Sequence, residues 1–123
     1  MAPYFQASDV FILPSVSEGL SNAMLEAMAC GLACVVHPHG GALDAIENGI
    51  SGAFLVDDTV ASITSTVSDL LSCADTRARM GARARAVVVD RYSLDAVADQ
   101  LATLYRELVT SKWRSPTCAG LPA

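Results

Sequence analysis

The chain predicts an α/β fold, a partial doubly wound parallel sheet of about three strands followed by three helices. Three observations carry that reading. Short apolar runs at Asp9–Leu13, Ala33–Val36 and Ala53–Val56 have the near-continuous hydrophobicity of strands covered on both faces. Ser21–Cys30, between the first two, is rich in helix formers, and strand, helix, strand in that order is a right-handed crossover between parallel strands. Beyond Asp58, apolar residues recur at helical spacing in three successive segments.

Taken in order, Tyr4 to Ser8 reads as the tail of a helix, because a buried strand needs its edge covered. The chain therefore reads as a piece of a longer protein, and 123 residues is short for an enzyme that holds two substrates between two domains. Pro14 cannot donate to a sheet ladder and stops the first strand. Ser15 to Leu20 is a loop, Ser21 an N-cap, and Gly31 a left-handed close to the helix. After the second strand, His37-Pro38-His39-Gly40-Gly41 forms a loop on the same sheet edge as Glu18. A short helix over Ala42–Glu47 follows, capped by Asn48-Gly49, and Gly52 turns the chain into the third strand, which Asp57-Asp58 ends.

Thr59 caps the next helix, along which the apolar residues Val60, Ile63, Val67, Leu70 and Leu71 follow helical spacing. A second runs from about Asp75 to Asp90, with Met80, Ala84, Val87 and Val88 on one face and Arg77, Arg79, Arg83 and Arg85 on others. Ser93 caps a third, with Leu94, Val97, Leu101, Leu104, Tyr105 and Leu108 along one side. From Thr110 the serines, prolines and Gly120 break any period, so residues 1–109 read as the domain and 110–123 as a disordered tail.

Chemistry is expected where the helix at Ser21 opens. Its unpaired amides and positive dipole end face the crevice beyond the strand's carboxyl end and suit a phosphate. Glu18 precedes the cap and Glu26 lies five residues into the helix, about 7.5 Å along its axis. A ligand with a central phosphate pair and a sugar at each end would meet amides in the middle and a carboxylate at either end. Gly40 and Gly41 let backbone approach such a ligand and read either as a pocket wall or as an ordinary turn. His37 and His39 could clasp a metal, but two ligands do not make a site. Ser15, Ser17 and Ser21 lack the G-x-S-x-G elbow of a hydrolase.

The spacing Glu18 to Glu26, an E-x7-E pair set inside Pro-Ser-x-x-Glu-Gly and Glu-Ala-Met-Ala-x-Gly, resembles the carboxyl-terminal domain of family 4 glycosyltransferases. Gly40-Gly41, Asp44, Ile46, Asn48-Gly49 and Gly52 follow in that family's order, so the likeness runs from about Tyr4 to Leu108. The resemblance implies one of two facing Rossmann-like domains of a GT-B enzyme, moving a sugar from a nucleotide diphosphate sugar to an acceptor with retention. By resemblance Glu18 is the catalytic residue, orienting the donor sugar through its hydroxyls. Gly19, Leu20, Ser21, Asn22, Gly40 and Gly41 bind the donor, and Glu26 holds the ribose. A front-face mechanism is implied, in which the leaving phosphate helps remove the acceptor proton, with no metal and no cofactor beyond the donor substrate. His37 and His39 depart from the small or polar residues usual there and bear on sugar choice.

The same resemblance implies that an amino-terminal domain of the parent enzyme supplies the acceptor site and the cationic residues for the diphosphate. No Lys or Arg occurs before Arg77. The isolated chain is therefore expected to be inactive. The other reading is a non-catalytic α/β module or a degenerate partial gene product.

A composition of 52% apolar and 17% charged residues is that of a globular protein, and a net charge of −5 argues against a nucleic-acid binder. No apolar run is long enough to span a bilayer and the start lacks a signal-peptide pattern, so a cytoplasmic location is expected, with membrane association only through the parent enzyme. Cys30, Cys34, Cys73 and Cys118 lack any C-x-x-C pairing and read as small buried hydrophobes in a reducing compartment. The basic helix from Asp75 reads as a solvated face, since no aromatic residues interleave its arginines.

Overall fold

The computed structural model describes residues 1–112. The elements are α1 (Ala2–Gln6), β1 (Val10–Leu13), α2 (Asn22–Ala29), β2 (Ala33–Val36), α3 (Gly41–Ala45), β3 (Ala53–Phe54), α4 (Val60–Ser72), α5 (Ala74–Arg91) and α6 (Leu94–Lys112). They form two compact units, Met1–Tyr92 and a second beginning at Ser93. The sheet lies wholly in the first, with order β1-β2-β3 and every pair parallel, as the crossover argument requires.

β2 is the axis of the first unit, and all four of its residues are buried. Successive strand residues face opposite sides, so Cys34 and Val36 enter one core while Ala33 and Val35 enter another. The first core is closed by Met24, Ala27 and Met28 of α2 and by Ala84 and Val88 of α5. The second is closed by Leu70 of α4 and Met80 of α5, with Ile63 and Val67 packed alongside. Met24 and Met28 are fully buried, and each such side chain contributes about 1.5–3 kcal/mol through removal from water.

Because Met80 belongs to one core and Ala84 to the other, α5 passes from one side of the sheet to the other. Gly81 is the point of crossing. A Cβ built there would lie 1.9 Å from the carbonyl oxygen of Gly31, the residue whose φ of +79° closes α2.

Arg79 and Arg83 of α5 are solvated as expected, but Arg77, Arg85 and Arg91 are tied to other elements. Arg77 reaches the carbonyls of Leu70 and Leu71 at the end of α4, and it pairs with Asp9 at 3.5 Å. Arg85 donates to the carbonyl of Ala29, the last residue of α2, and Arg91 to that of Asp44 in α3. Each of these guanidiniums thus meets carbonyls in the last turn of a helix, where the dipole favours a cation. Periodicity shows which residues of a helix are apolar, but not which carbonyls its arginines will meet.

Four boundaries differ from expectation. Helix α1 covers Ala2–Gln6 rather than reaching Ser8, and only Phe5 of it is buried. β3 pairs only over Ala53–Phe54, because after Leu55, whose amide still bonds Val36 and whose side chain is buried, the chain turns away and leaves Val56 exposed. Asn48-Gly49 do not cap α3. Ile46 ends it in extended conformation, while Asn48 bridges Gly52 and accepts the Phe54 amide at 2.8 Å, and Gly49 turns at φ +78°. In the second unit, α6 continues through Lys112, past the predicted domain limit at residue 109. The remainder of the expected tail lies outside the described residues.

Ser93 caps α6, its Oγ accepting the Ala96 amide at 3.2 Å, and Leu101, Leu104 and Leu108 are exposed along it.

The cysteines divide. Cys34 is buried, Cys30 half-buried, and Cys73 is exposed at the start of α5, which corrects the expectation that all are core residues; Cys118 lies outside the described residues. Burial pushes the Cys34 thiol up to about 12. The Thr76 hydroxyl, 3.1 Å from the Cys73 sulfur, together with the Thr76 amide, holds the Cys73 thiol below its ordinary range. Iodoacetamide at mildly alkaline pH is therefore expected to alkylate Cys73 in the folded protein and to spare Cys34 until urea unfolds it, as peptide mass mapping would show.

Candidate functional site

The carboxyl ends of β1 and β2 feed two loops that meet. Pro14 releases the first loop from the ladder, and Ser17, Glu18, Gly19 and Leu20 along it are all exposed. The second loop starts at His37, whose amide bonds the carbonyl of Leu13 at 3.2 Å. The loops join where the Gly41 amide donates to the carbonyl of Gly19 at 3.3 Å. Gly40 has φ +45°, and a Cβ built on it would lie 2.2 Å from the carbonyl oxygen of Glu18. A Cβ on Gly41 would meet Leu20 at 2.6–2.7 Å. Both glycines are therefore required by the close approach of the Glu18 loop.

His39 is the residue that sequence reasoning left without a role in this contact. Its Nδ1 lies 3.4 Å from the amide nitrogen of Glu18 and 3.3 Å from its carbonyl oxygen, so it accepts from the first or donates to the second according to its tautomer. Its ring stacks beside His37, with centroids 6.1 Å apart. His37 Nδ1 is buried and has no hydrogen-bond partner among the described residues. No group of three or more metal-ligating side chains occurs among the described residues. The only sequence signal for the His39 contact was the His-x-His spacing, which says nothing about a partner 21 residues away.

Helix α2 begins as its sequence demands. Ser21 Oγ accepts the Met24 amide at 3.4 Å, and the Ser21 carbonyl accepts that of Leu25. The amides of Asn22 and Ala23 have no intrahelical acceptor, and both residues are exposed, so this end of the helix is open to solvent. Glu26 is exposed one turn further on, while Met24, Ala27 and Met28 anchor the opposite side of α2 in the core. The structure thus joins Glu18, Gly19, Leu20, Gly40 and Gly41 in one loop pair leading directly into Ser21 and Asn22, with Glu26 following along the same helix.

Asp57, just past β3, adds a carboxylate to the same sheet edge. It accepts the Thr59 hydroxyl and the Thr59 amide, at 3.0 Å for the latter, and these bonds, with a smaller contribution from His37, hold its carboxyl below the usual range. Two cavities of about 200 and 280 Å³ lie elsewhere, one beside Arg79 and Arg83 and the other beneath α3 at Arg91.

A family model described as glycosyl transferases group 1 matches residues 1–87. The chain belongs to this family. D-inositol 3-phosphate glycosyltransferase of Mycobacterium leprae is 33% identical over 110 residues, which cover 89% of this chain and 26% of that protein. The Mycobacterium tuberculosis enzyme of the same name is 32% identical, covering 89% and 23%. The chain therefore spans about a quarter of the length of the curated relatives it matches.

Among solved structures, sucrose-phosphate synthase from Thermosynechococcus elongatus superposes with a TM-score of 0.81 at 24% identity, over 88% of this chain and 27% of that one. Anabaena HepE in complex with UDP-glucose gives 0.78 at 21% identity, over 85% and 29%. The three parallel strands with helices on both faces are thus part of a GT-B glycosyltransferase fold, as the E-x7-E pattern implied. No helix among the described residues is long and apolar enough to cross a membrane.

Proposed function

We propose that this chain forms the donor-binding part of a retaining glycosyltransferase that uses a nucleotide diphosphate sugar. The observation that carries the reading is the open start of α2, whose free amides stand between an exposed Glu18 before the cap and an exposed Glu26 within the helix. HepE, which shares the fold, is described in complex with UDP and with UDP-glucose.

In this reading Glu26 accepts the ribose hydroxyls, the amides of Ser21, Asn22 and Ala23 receive the diphosphate, and Glu18 with the Gly19 and Leu20 backbone orients the donor sugar. As the glycosidic bond breaks, negative charge grows on the diphosphate facing the positive end of α2. A fixed dipole is worth more against that charge than against the ground state, and this lowers the barrier without a metal. The leaving phosphate then helps take the acceptor proton on the front face. The acceptor site and the cations that complete the diphosphate pocket come from other parts of a longer, cytoplasmic enzyme, so the isolated chain binds donor weakly and turns over nothing.

Calorimetric titration of the chain with uridine and guanosine diphosphates tests this. Weak binding is expected, reduced roughly tenfold or more in Glu26→Ala, since a hydrogen bond to a charged group is lost. Equal heats from both proteins would remove the ribose role of Glu26. Absence of any binding would favour a non-catalytic α/β module.

A further inference from the structure

Three of the five arginines of α5 are accounted for by helix-end carbonyls, and two are not. Arg79 and Arg83 are exposed and make no hydrogen bond or ion pair among the described residues. They lie four residues apart, on one face of the helix, where like charges repel. Both line the same cavity of about 200 Å³, together with Thr76, Met80, Gly49 and Ile50, and no acidic residue lines it. Gly49 and Ile50 belong to the turn that enters β3, so this cavity is at the end of the parallel strands opposite to Glu18.

We propose that this cavity is a second anion site, taking a small soluble phosphate group, distinct from the donor shelf. Two guanidiniums one turn apart offer paired N–H donors to a tetrahedral oxyanion, a geometry to which arginine is better suited than lysine. Thr76 adds a hydroxyl one turn before Arg79–Met80, and the cavity volume admits a phosphate with part of the molecule that bears it. An anion there would also relieve the Arg79–Arg83 repulsion, which no acidic residue of the cavity lining offsets. A ligand at this end of the sheet touches α5 and the turn before β3, and so leaves the Glu18 loop unobstructed.

The test is an amide-resolved NMR titration of the full chain with inorganic phosphate at constant ionic strength, with chloride as reference. Saturable shifts are expected at Gly49, Ile50 and the 76–83 segment. They should weaken at least about tenfold in the double variant Arg79→Gln, Arg83→Gln. Neutralising two mutually repelling exposed cations is not expected to unfold the chain, and an unchanged or slightly raised Tm without phosphate would support the reading. Shifts confined to the first turn of α2, or unchanged in the double variant, would overturn it. So would retention on phosphatidylcholine vesicles doped with phosphatidic acid without saturable binding of free phosphate, since the site would then serve a lipid surface. Shifts at Gly49, Ile50 and the 76–83 segment that saturate independently of any at Ser21, Asn22 and Ala23, and that alone weaken in the double variant, separate this site from the donor shelf.

Discussion

Gly81→Ala is expected to destabilise the first unit by about 3 kcal/mol or more, toward the upper end of what overpacking costs. The new methyl would lie 1.9 Å from the Gly31 carbonyl oxygen and 2.7 Å from its carbon, both backbone atoms that no rotamer change can move. Gly31 is itself fixed, since its φ of +79° closes α2 and it leads into β2, the most buried strand. Relief would require α5 to lift from α2, parting Ala84 and Val88 from Met28 and Ala27. Alanine's intrinsic advantage over glycine within a helix, about 1 kcal/mol, is too small to offset this. A domain with a total stability of about 5–15 kcal/mol would then unfold at a markedly lower urea concentration. Gly19→Ala is the control, because a Cβ there meets nothing within 4 Å. Equal midpoints for Gly81→Ala and the parent would show that α5 does not cross at Gly31 as described.

That crossing marks what could and could not be read from the residues. β2 was legible to its end residues because Ala33-Cys34-Val35-Val36 is buried on both sides, and burial on both faces leaves a continuous apolar run. Ser21, Thr59 and Ser93 were legible as caps because the capping hydroxyl acts on an amide only three residues away. Gly81 was not legible, since in sequence it is one glycine within a good helix and its constraint comes from a carbonyl fifty residues earlier. The same holds for Arg85 and Ala29, 56 residues apart, and for His39 and Glu18. Local rules carry caps and strands, whereas long-range approaches emerge only once elements are packed. Within the site, the E-x7-E pair and the glycine pair were readable as a pattern, but the contact of His39 with Glu18 was not.

Gly40→Ala is expected to reduce nucleotide-sugar binding at least about tenfold while leaving the chain folded. Two effects act together at this residue. Its backbone, at φ +45° and ψ −132°, lies where side-chain-bearing residues pay about 1–3 kcal/mol, and its new methyl would overlap the Glu18 carbonyl oxygen at 2.2 Å. Unlike Gly31, the Glu18 loop is exposed and free to swing outward, so the clash is relieved by movement of the loop rather than by unfolding. That movement breaks the Gly41–Gly19 bond and carries Glu18 away from His39, so the strain is converted into misplacement of the carboxylate proposed to orient the sugar. The loss should be greater for a nucleotide sugar than for the nucleotide alone, because Glu26 and the first turn of α2 keep their places. Titrating both ligands against both proteins separates the two contributions. If Gly40→Ala bound UDP-glucose as the parent does, the Glu18 loop would have no part in holding the sugar, whatever the nucleotide does at α2.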